Sequence, residues 1–289
     1  MIYLYCNKVK EVNMKVTILS DNIPQRDSRG GTLPFSSEWG FSAYIEYADK
    51  KILLDTGASS LFLRTAKRCG INIGEVDFAV LSHAHYDHAD GLDAFFDSNK
   101  TAKCYISADT AENCYSKKLF FKKYIGIPRG ILERRRERFV KIGEKTEISK
   151  GVYILPHTTS DLEKLGKRNS MYRKIDGRYV YDDYSHEQSL VFDTENGLVV
   201  LNSCSHAGAD NILNEVSAAF DNRPVIAIVG GFHLCNKTAG EVLTLAESLG
   251  ASGVRVCTGH CTGDAAFRIL KEKLGDRADR FETGLVLTF

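Results

Sequence analysis

The chain has 289 residues, of which 43% are hydrophobic and 26% are charged, and its 38 basic and 37 acidic residues leave a formal net charge of +1. This composition suits a globular protein with a large core, and the near-neutral charge excludes a broad polyanion-binding surface. No apolar run reaches the roughly 18–20 residues of a membrane-spanning helix, and the start MIYLYCNKVKEVNMK does not resemble a signal peptide, which favours a cytoplasmic location.

The chain is interpreted as one domain, residues 1–289, in which 1–13 form an extension ahead of the first strand. Alternating and β-branched residues predict strands at 15–20, 42–48, 51–55, 77–82, 103–107, 152–156, 189–193, 198–203, 224–230, 253–258 and 284–288. Apolar residues at helical spacing predict helices at 59–69, 91–98, 108–118, 209–220, 238–249 and 264–274. Early strands followed by strands that alternate with helices predict an α/β fold with sheets sandwiched between helices.

Residues 115–140, YSKKLFFKKYIGIPRGILERRRERFV, are basic and aromatic and predict an inserted cap with approximate bounds 108–150. Arginine pairs with oxyanions through two hydrogen bonds, and lysine neutralises phosphate as a point charge. We therefore expect Lys122 and Arg129 to contact an anionic, phosphorylated substrate. The alternative is a solvated helix face, and the balanced total charge disfavours nucleic acid as the partner.

The segment LSHAHYDH (81–88) follows an apolar strand and holds three of the eight histidines of the chain. Neutral imidazole and carboxylate groups suit Zn²⁺ and related divalent ions. His83 and His85 lie two residues apart on an extended segment and can bind one ion from the same side. Asp87 and His88, beyond the turn, can face a second ion.

Eight cysteines occur singly, with no C-x-x-C pair. Without a secretion signal they are expected to be reduced thiols. Cys257 and Cys261 flank the candidate ligand His260, which leaves open a role for them around the metal ions.

The pattern HxHxDH after an apolar strand resembles the metallo-β-lactamase superfamily. Further segments of the chain agree with it: LLDTG at 53–57, NSCSH at 202–206 and GHCTG at 259–263. The resemblance implies an αβ/βα four-layer sandwich with the metal site at the sheet edges. It also implies that Asp55 orients the metal-binding loop without binding metal, and that His206 and His260 are ligands.

On this resemblance two divalent ions are expected, zinc first, with manganese or iron as alternatives. The ligand assignment is His83, His85 and His206 on one ion, and Asp87, His88 and His260 on the other. Most hydrolases of the superfamily add a bridging aspartate at the end of the strand that here reads LNSCSH, where this chain has no carboxylate. His206 at the bridging position is therefore an alternative.

A narrower resemblance, to the 7,8-dihydropterin-6-methyl-4-(β-D-ribofuranosyl)aminobenzene-5′-phosphate synthase branch, is carried by LLDTG, LSHAHYDHADGL, HEQSLVF, SCSHAG, GGFHL and TGHCTG. It implies a phosphorylated, pterin-like ligand. The sequence departs from the branch pattern at two places, and both are expected to affect substrate contacts more than metal binding. The branch commonly has Glu-His-Gly where this chain has Glu38-Trp39-Gly40, and Thr-Gly where this chain has Ala89-Asp90. Trp39 is accordingly a candidate substrate contact.

Three other histidines have different expected roles. His233 follows two glycines at the end of the strand VIAIVG, and glycine lets the backbone approach a ligand closely. It is therefore a candidate proton donor or substrate contact, with a core histidine as the rival interpretation. His186 is placed either near the pocket or on the surface, and His157 is expected to be structural.

Together these features predict a metal-dependent hydrolase, or a related transferase, for a small anionic substrate. Two ions would share a water molecule and lower its pKa, Asp87 would orient the resulting hydroxide, and His233 would protonate the leaving group. In the pterin-synthase branch the implied reaction is a condensation with loss of a leaving group. A di-iron redox protein and a non-catalytic ligand sensor of the same fold are the alternatives, and the oligomeric state is left open.

Overall fold

The computed structural model describes residues 14–25, 31 and 35–289, so the predicted extension at 1–13 lies outside the described residues. In chain order the strands are β1 (Lys15–Ser20), β2 (Ser42–Tyr47), β3 (Lys50–Leu54), β4 (Phe78–Val80), β5 (Lys103–Ser107), β6 (Cys114–Lys118), β7 (Phe121–Tyr124), β8 (Phe139–Ile142), β9 (Thr146–Ser149), β10 (Val152–Pro156), β11 (Met171–Ile175), β12 (Arg178–Tyr181), β13 (Gln188–Thr194), β14 (Gly197–Leu201), β15 (Val225–Gly230), β16 (Arg255–Thr258), β17 (Ala278–Arg280) and β18 (Val286–Thr288). The α-helices are α1 (Leu61–Arg68), α2 (Tyr86–Ala89), α3 (Leu92–Ser98), α4 (Ile131–Arg134), α5 (Glu163–Asn169), α6 (Ala209–Ala219), α7 (Ala239–Ser252) and α8 (Asp264–Leu274).

Two sheets of seven strands each form the body of the molecule, in the orders β18-β1-β2-β3-β4-β5-β8 and β17-β16-β15-β14-β13-β10-β9. The first sheet is antiparallel from β18 to β3 and parallel from β3 to β8. The second is antiparallel from β9 to β14 and parallel from β14 to β17. Parallel strands need a crossover connection, and the helices of each half supply it. Each sheet therefore has one parallel half whose carboxyl strand ends share an edge.

The core lies between the two sheets and on both outer faces. Ile18, Ile52, Leu190 and Val199 are among the buried residues packed between the sheets. Outside the first sheet, the core includes Phe62 of α1 and Phe95 and Phe96 of α3. Outside the second sheet, it includes Ile212 of α6, Ala246 of α7 and Leu270 of α8. The predicted sandwich of two sheets between helices is confirmed.

The cap region departs from the prediction. The helix predicted at 108–118 is wrong, because Cys114–Lys118 is strand β6, which pairs antiparallel with β7. These strands join β11 and β12 in a four-stranded sheet of order β12-β11-β6-β7, called the small sheet below. The predicted insertion bounds are also corrected, since β8 and β9 belong to the main sheets and half of the small sheet comes from 171–181.

No helix among the described residues is both long and apolar enough for a membrane span.

Candidate metal centre

Strand ends of both main sheets position the candidate ligands. The segment 82–88 follows β4 of the first sheet, and residues 202–206 follow β14 of the second. His233 follows β15, and His260 follows β16. Because these are parallel strands, their carboxyl ends carry the following loops to one edge of each sheet, which is where ligands bind in such folds.

The six predicted metal ligands lie together. The ring centroids are separated by 4.6 Å for His83 and His85, 4.9 Å for His83 and His206, and 5.0 Å for His88 and His260. Asp87 Oδ2 lies 3.7 Å from His260 Nε2 and 3.9 Å from His88 Nε2. This ligand cluster (His83, His85, Asp87, His88, His206 and His260) is buried throughout.

The donor atoms of the cluster fit divalent ions. His83 Nε2, His85 Nε2 and both ring nitrogens of His206 and His260 are buried without a hydrogen-bond partner among the described residues. Buried polar atoms are normally paired, so several unpaired imidazole nitrogens in one cluster indicate a ligand. The protonation state of these imidazoles also matters, since only the neutral form binds a metal.

Burial favours this neutral form. Burial, reinforced by neighbouring imidazoles, lowers the pKa of His83, His85 and His206 well below the usual value. It also lowers the pKa of His260 to about 3. Burial alone would lower the pKa of His88 too, but the Asp87 and Asp55 carboxylates raise it above the usual value. A raised pKa makes protonation compete with metal binding more strongly at His88 than at the other imidazoles.

Asp55 has the position that the sequence predicted for it. It is buried, and its Oδ2 lies 2.7 Å from His88 Nδ1 and accepts a hydrogen bond from Ser82 Oγ at 2.6 Å. Its Oδ1 accepts from the Ser82 N–H at 2.7 Å. Through these contacts Asp55 holds the His88 ring with Nε2 turned towards the cluster.

We expect Asp55→Asn to weaken metal binding about 10- to 100-fold, because the ring of His88 loses the anion that orients it. The measurement is the metal dissociation constant of the folded variant, with its fold checked by circular dichroism. Asp93→Asn is the matched control, because Asp93 pairs with Arg134 and Arg135 and does not touch the cluster. An unchanged dissociation constant for Asp55→Asn would contradict the role.

Strained backbone also gathers at the site. Asp55, Ser205, His233 and His260 all have positive φ, between +45° and +56°. Residues other than glycine rarely adopt this conformation, and where they do it is often at functional sites. At Gly231 a Cβ would lie 2.6 Å from Cys261 Sγ, so only glycine leaves room for that sulfur.

Two supports of the ligand loops carry no signal in the sequence pattern. Asp21 Oδ1 accepts a hydrogen bond from the His260 N–H at 2.9 Å. Glu187 accepts from the N–H groups of His206 and Ala207 at 2.9 and 3.0 Å. His157, predicted to be structural, is buried against Glu187, with its Nε2 2.6 Å from Glu187 Oε2.

His186 is buried beside the cluster, so of the two positions left open the surface one is wrong. Its ring centroid lies 5.3 Å from that of His85. Its Nδ1 accepts from the Ala84 N–H at 3.2 Å, and its Nε2 lies 3.2 Å from Asp182 Oδ2. These contacts tie the loop before β13 of the second sheet to residues 82–88 of the first.

A cavity of about 620 Å³ opens over the cluster. Trp39 and His233, both predicted substrate contacts, line it together with His85, Asp87 and His206. The Trp39 ring lies 5.3 Å from that of His260 and is 47% exposed. Five cationic side chains line the cavity and are called the basic wall: Lys117, Lys118, Lys123, Arg168 and Lys237.

Lys122 and Arg129 do not line this cavity, which corrects their predicted role. Lys122 Nζ lies 4.5 Å and 4.6 Å from the ring centroids of Tyr172 and Tyr179. Arg129 stacks on Tyr124, 4.0 Å from its ring centroid.

A family model described as the metallo-β-lactamase superfamily matches residues 40–167, which include the HxHxDH segment. The crystal structure of a metal-dependent hydrolase of the β-lactamase superfamily superposes with a TM-score of 0.79 at 29% identity, covering 95% of this chain and 98% of that one. The chain is thus similar to the metallo-β-lactamase superfamily in its sequence over residues 40–167, and it has the fold of a solved β-lactamase-superfamily protein.

Two further proteins are similar to this chain. The 7,8-dihydropterin-6-methyl-4-(β-D-ribofuranosyl)-aminobenzene-5′-phosphate synthase of Methanocaldococcus jannaschii is 27% identical over 293 residues, which cover 96% of this chain and 97% of the relative. The crystal structure of a diphosphatase from the PhnP family is 15% identical, with a TM-score of 0.53 and coverage of 96% and 97%. The second likeness shows the shared fold alone.

Proposed function

We propose that this chain is a metal-dependent enzyme that holds two divalent ions and acts on a small phosphorylated substrate. The observation that carries the proposal is the cavity of about 620 Å³, which has buried, unpaired imidazole nitrogens beneath it and a basic wall around it. Large concave pockets with perturbed titratable groups are the usual location of an active site.

The proposal keeps the two ligand sets that the resemblance implies, and neighbouring rings of the two sets also lie close, with 4.1 Å between the centroids of His83 and His88. His83, His85 and His206 form one set, in which all three rings lie within 4.9 Å of one another by their centroids. Asp87, His88 and His260 form the other, through the contacts of Asp87 Oδ2 with both imidazoles. Imidazole and carboxylate ligands favour zinc and also accept manganese or iron.

Two ions held in these sets would supply Lewis acidity and lower the pKa of a water molecule towards neutrality. The side chains of the chain do the rest. Asp87 Oδ2 lies within 3.9 Å of the Nε2 atoms of both His88 and His260, and Asp87 orients the attacking oxygen. Burial of the imidazoles keeps bulk solvent away from their donor atoms. His233, whose ring lies 4.4 Å from that of His206, faces the cavity with a buried, unpaired Nδ1 and protonates the leaving group.

The basic wall supports an anionic substrate. Lys237 Nζ donates to Asn169 Oδ1 at 2.9 Å, and burial together with nearby Arg168 lowers the pKa of Lys237. Arg168 pairs with Glu241 at 2.9 Å, the one acidic residue near both cations in the cavity lining. A phosphate bound here relieves the repulsion between the two cations.

The reaction is either hydrolysis or the related group transfer. One relative is named as the synthase of a 5′-phosphate compound, whereas the structure with the TM-score of 0.79 is named a hydrolase. The deciding experiment loads the full chain with zinc, measures bound metal, and assays turnover on phosphorylated pterin and ribose compounds and on their dephosphorylated forms. Absence of bound metal, or no turnover of any phosphorylated compound, would overturn the proposal.

The side chains of the basic wall can be tested one by one. We expect Lys237→Ala and Lys123→Ala each to raise KM for the phosphorylated substrate about tenfold to a hundredfold, because a charge-assisted hydrogen bond contributes about 1.5–3 kcal/mol. The dephosphorylated analogue should be affected far less. Lys122→Ala is the matched control for Lys123→Ala, since the neighbouring side chain faces the tyrosines of the small sheet. Equal losses for both analogues would contradict phosphate recognition.

A further inference from the structure

A thiol stands at the end of β14, where the chain offers no carboxylate. Cys204 follows the strand by three residues and is buried, yet it lines the cavity. Neighbouring Asn202 is engaged elsewhere, because its Oδ1 accepts from the Ser205 N–H at 2.7 Å and its Nδ2 donates to Ser189 Oγ at 3.0 Å. Of these two side chains, Cys204 is the one directed at the ligand cluster.

The Cys204 sulfur belongs to both ligand sets. Its Sγ lies within 4.8 Å of a ring nitrogen of His83 and of His206, and within the same distance of a ring nitrogen of His88 and of His260. Its separation from His88 Nε2 is 3.5 Å. An atom that lies this close to donors of both sets is placed to bind an ion held by either set.

The surroundings of the sulfur are built to hold it there. Cys261 Sγ lies 3.3 Å from Cys204 Sγ and itself accepts a hydrogen bond from the His233 N–H at 3.2 Å. Gly231 leaves the space that the Cys261 sulfur fills. A buried thiolate is unfavourable unless a cation pairs with it, and two divalent ions would provide that pairing.

We propose that the Cys204 thiolate bridges the two metal ions, with Cys261 as a hydrogen-bonding neighbour and not a ligand. This inference rests on the proposed two-ion site and adds the ligand that joins its halves. A shared thiolate makes the centre selective for thiophilic and borderline ions such as Zn²⁺ and Co²⁺ over Mg²⁺ and Mn²⁺, which prefer oxygen ligands.

The test titrates Co²⁺ into the metal-free full-length protein and follows two readouts that do not depend on turnover. One is the sulfur-to-cobalt charge-transfer absorption in the near ultraviolet, and the other is the number of ions bound per chain. The wild-type chain should bind two ions and develop the band. Cys204→Ser should lose most of the band and bind the second ion at least about tenfold more weakly. Cys261→Ser should keep the band.

Cys257→Ser is the matched control, because Cys257 is a buried cysteine of β16 that packs in the core between the sheets. It should behave as wild type. A Cys204→Ser variant that keeps the band, or loses it while binding the second ion with unchanged affinity, would overturn the bridge but leave the two-ion site standing. A wild-type chain that binds no cobalt would overturn the proposed function itself.

A measurement on the unaltered protein covers the case in which Cys204→Ser fails to fold. Substitution with ¹¹³Cd gives one resonance for each bound ion, and a sulfur ligand shifts its ion's resonance strongly downfield. A bridging thiolate should shift both resonances. One shifted and one unshifted resonance, or two unshifted ones, would overturn the bridge.

Discussion

His88→Ala and His85→Ala should each lose bound metal and reduce turnover by about a thousandfold or more, while the chain stays folded. A metal ion contributes several kcal/mol of transition-state stabilisation, and each 1.4 kcal/mol is a factor of ten in rate. The fold should survive because the apolar core lies between and outside the two main sheets, away from the ligand cluster.

The measurements are metal content per chain, turnover, and circular dichroism of each variant. His233→Gln provides the contrast, because His233 is assigned to proton transfer and lies outside both ligand sets. It should keep both ions and lose turnover. The ligand variants should therefore lose both metal and turnover, whereas His233→Gln should lose turnover alone. Full metal occupancy in both His85→Ala and His88→Ala would remove the central claim about the site.

The sequence predicted the position of the ligand cluster because short local patterns encode it. His83, His85, Asp87 and His88 come within six residues after a strand, and one turn is enough to bring them together. His206 and His260 lie far from this segment in the chain, and the resemblance to the superfamily, carried by NSCSH and GHCTG, is what implies them as ligands.

The side of a strand on which a side chain lies, and the pairing of strands that are distant in sequence, were harder to predict. The sequence does not indicate that Phe121–Tyr124 is a strand, so it does not show which of the adjacent Lys122 and Lys123 lines the cavity. Residues 108–118 were assigned to a helix because Cys114–Lys118 has no strong alternation of apolar and polar residues, and its strand conformation depends on pairing with β7 and with β11. Such pairing lies between segments distant in sequence.

The residues that hold the ligand loops in place could not be predicted either, because they too are distant from those loops in sequence. Glu187 is 30 residues from His157 in the chain and 19 residues from His206, yet it contacts both. Glu215 is 58 residues from His157. A glutamate that accepts hydrogen bonds from a ligand loop has no local pattern of its own, so the tertiary structure is needed to identify it.

These contacts make His157 the centre of a buried charged group. Its Nδ1 lies 2.8 Å from Glu215 Oε2 and its Nε2 lies 2.6 Å from Glu187 Oε2. Burial would lower the pKa of His157, but the carboxylates of Glu187 and Glu215 outweigh it and raise the pKa to about 9, from the ordinary value of 6.5. His157 is therefore cationic in the folded protein at neutral pH and holds Glu187 under the loop that carries His206.

His157→Gln should destabilise the metal-free protein by about 3–5 kcal/mol at pH 6, because removing one partner leaves buried carboxylates without their cation. The folded-state pKa is raised, so the stabilisation from protonated His157 is fully present below about pH 6.5. It is lost as the pH rises through about 9. The free-energy difference between wild type and variant should therefore shrink by about 3 kcal/mol across this range, since each pKa unit is worth about 1.4 kcal/mol.

Urea unfolding of the metal-free wild type and of His157→Gln at pH 6, 7.5 and 9.5 measures this difference directly. The metal-free form is needed because bound ions would add their own pH-dependent stabilisation. Asp93→Asn serves as the control, since its surface ion pairs are remote from His157 and the free-energy difference from wild type should stay small at each pH. A pH-independent difference for His157→Gln would show that the histidine is neutral when folded, and that Glu187 is held by its hydrogen bonds to the backbone of His206 and Ala207 alone.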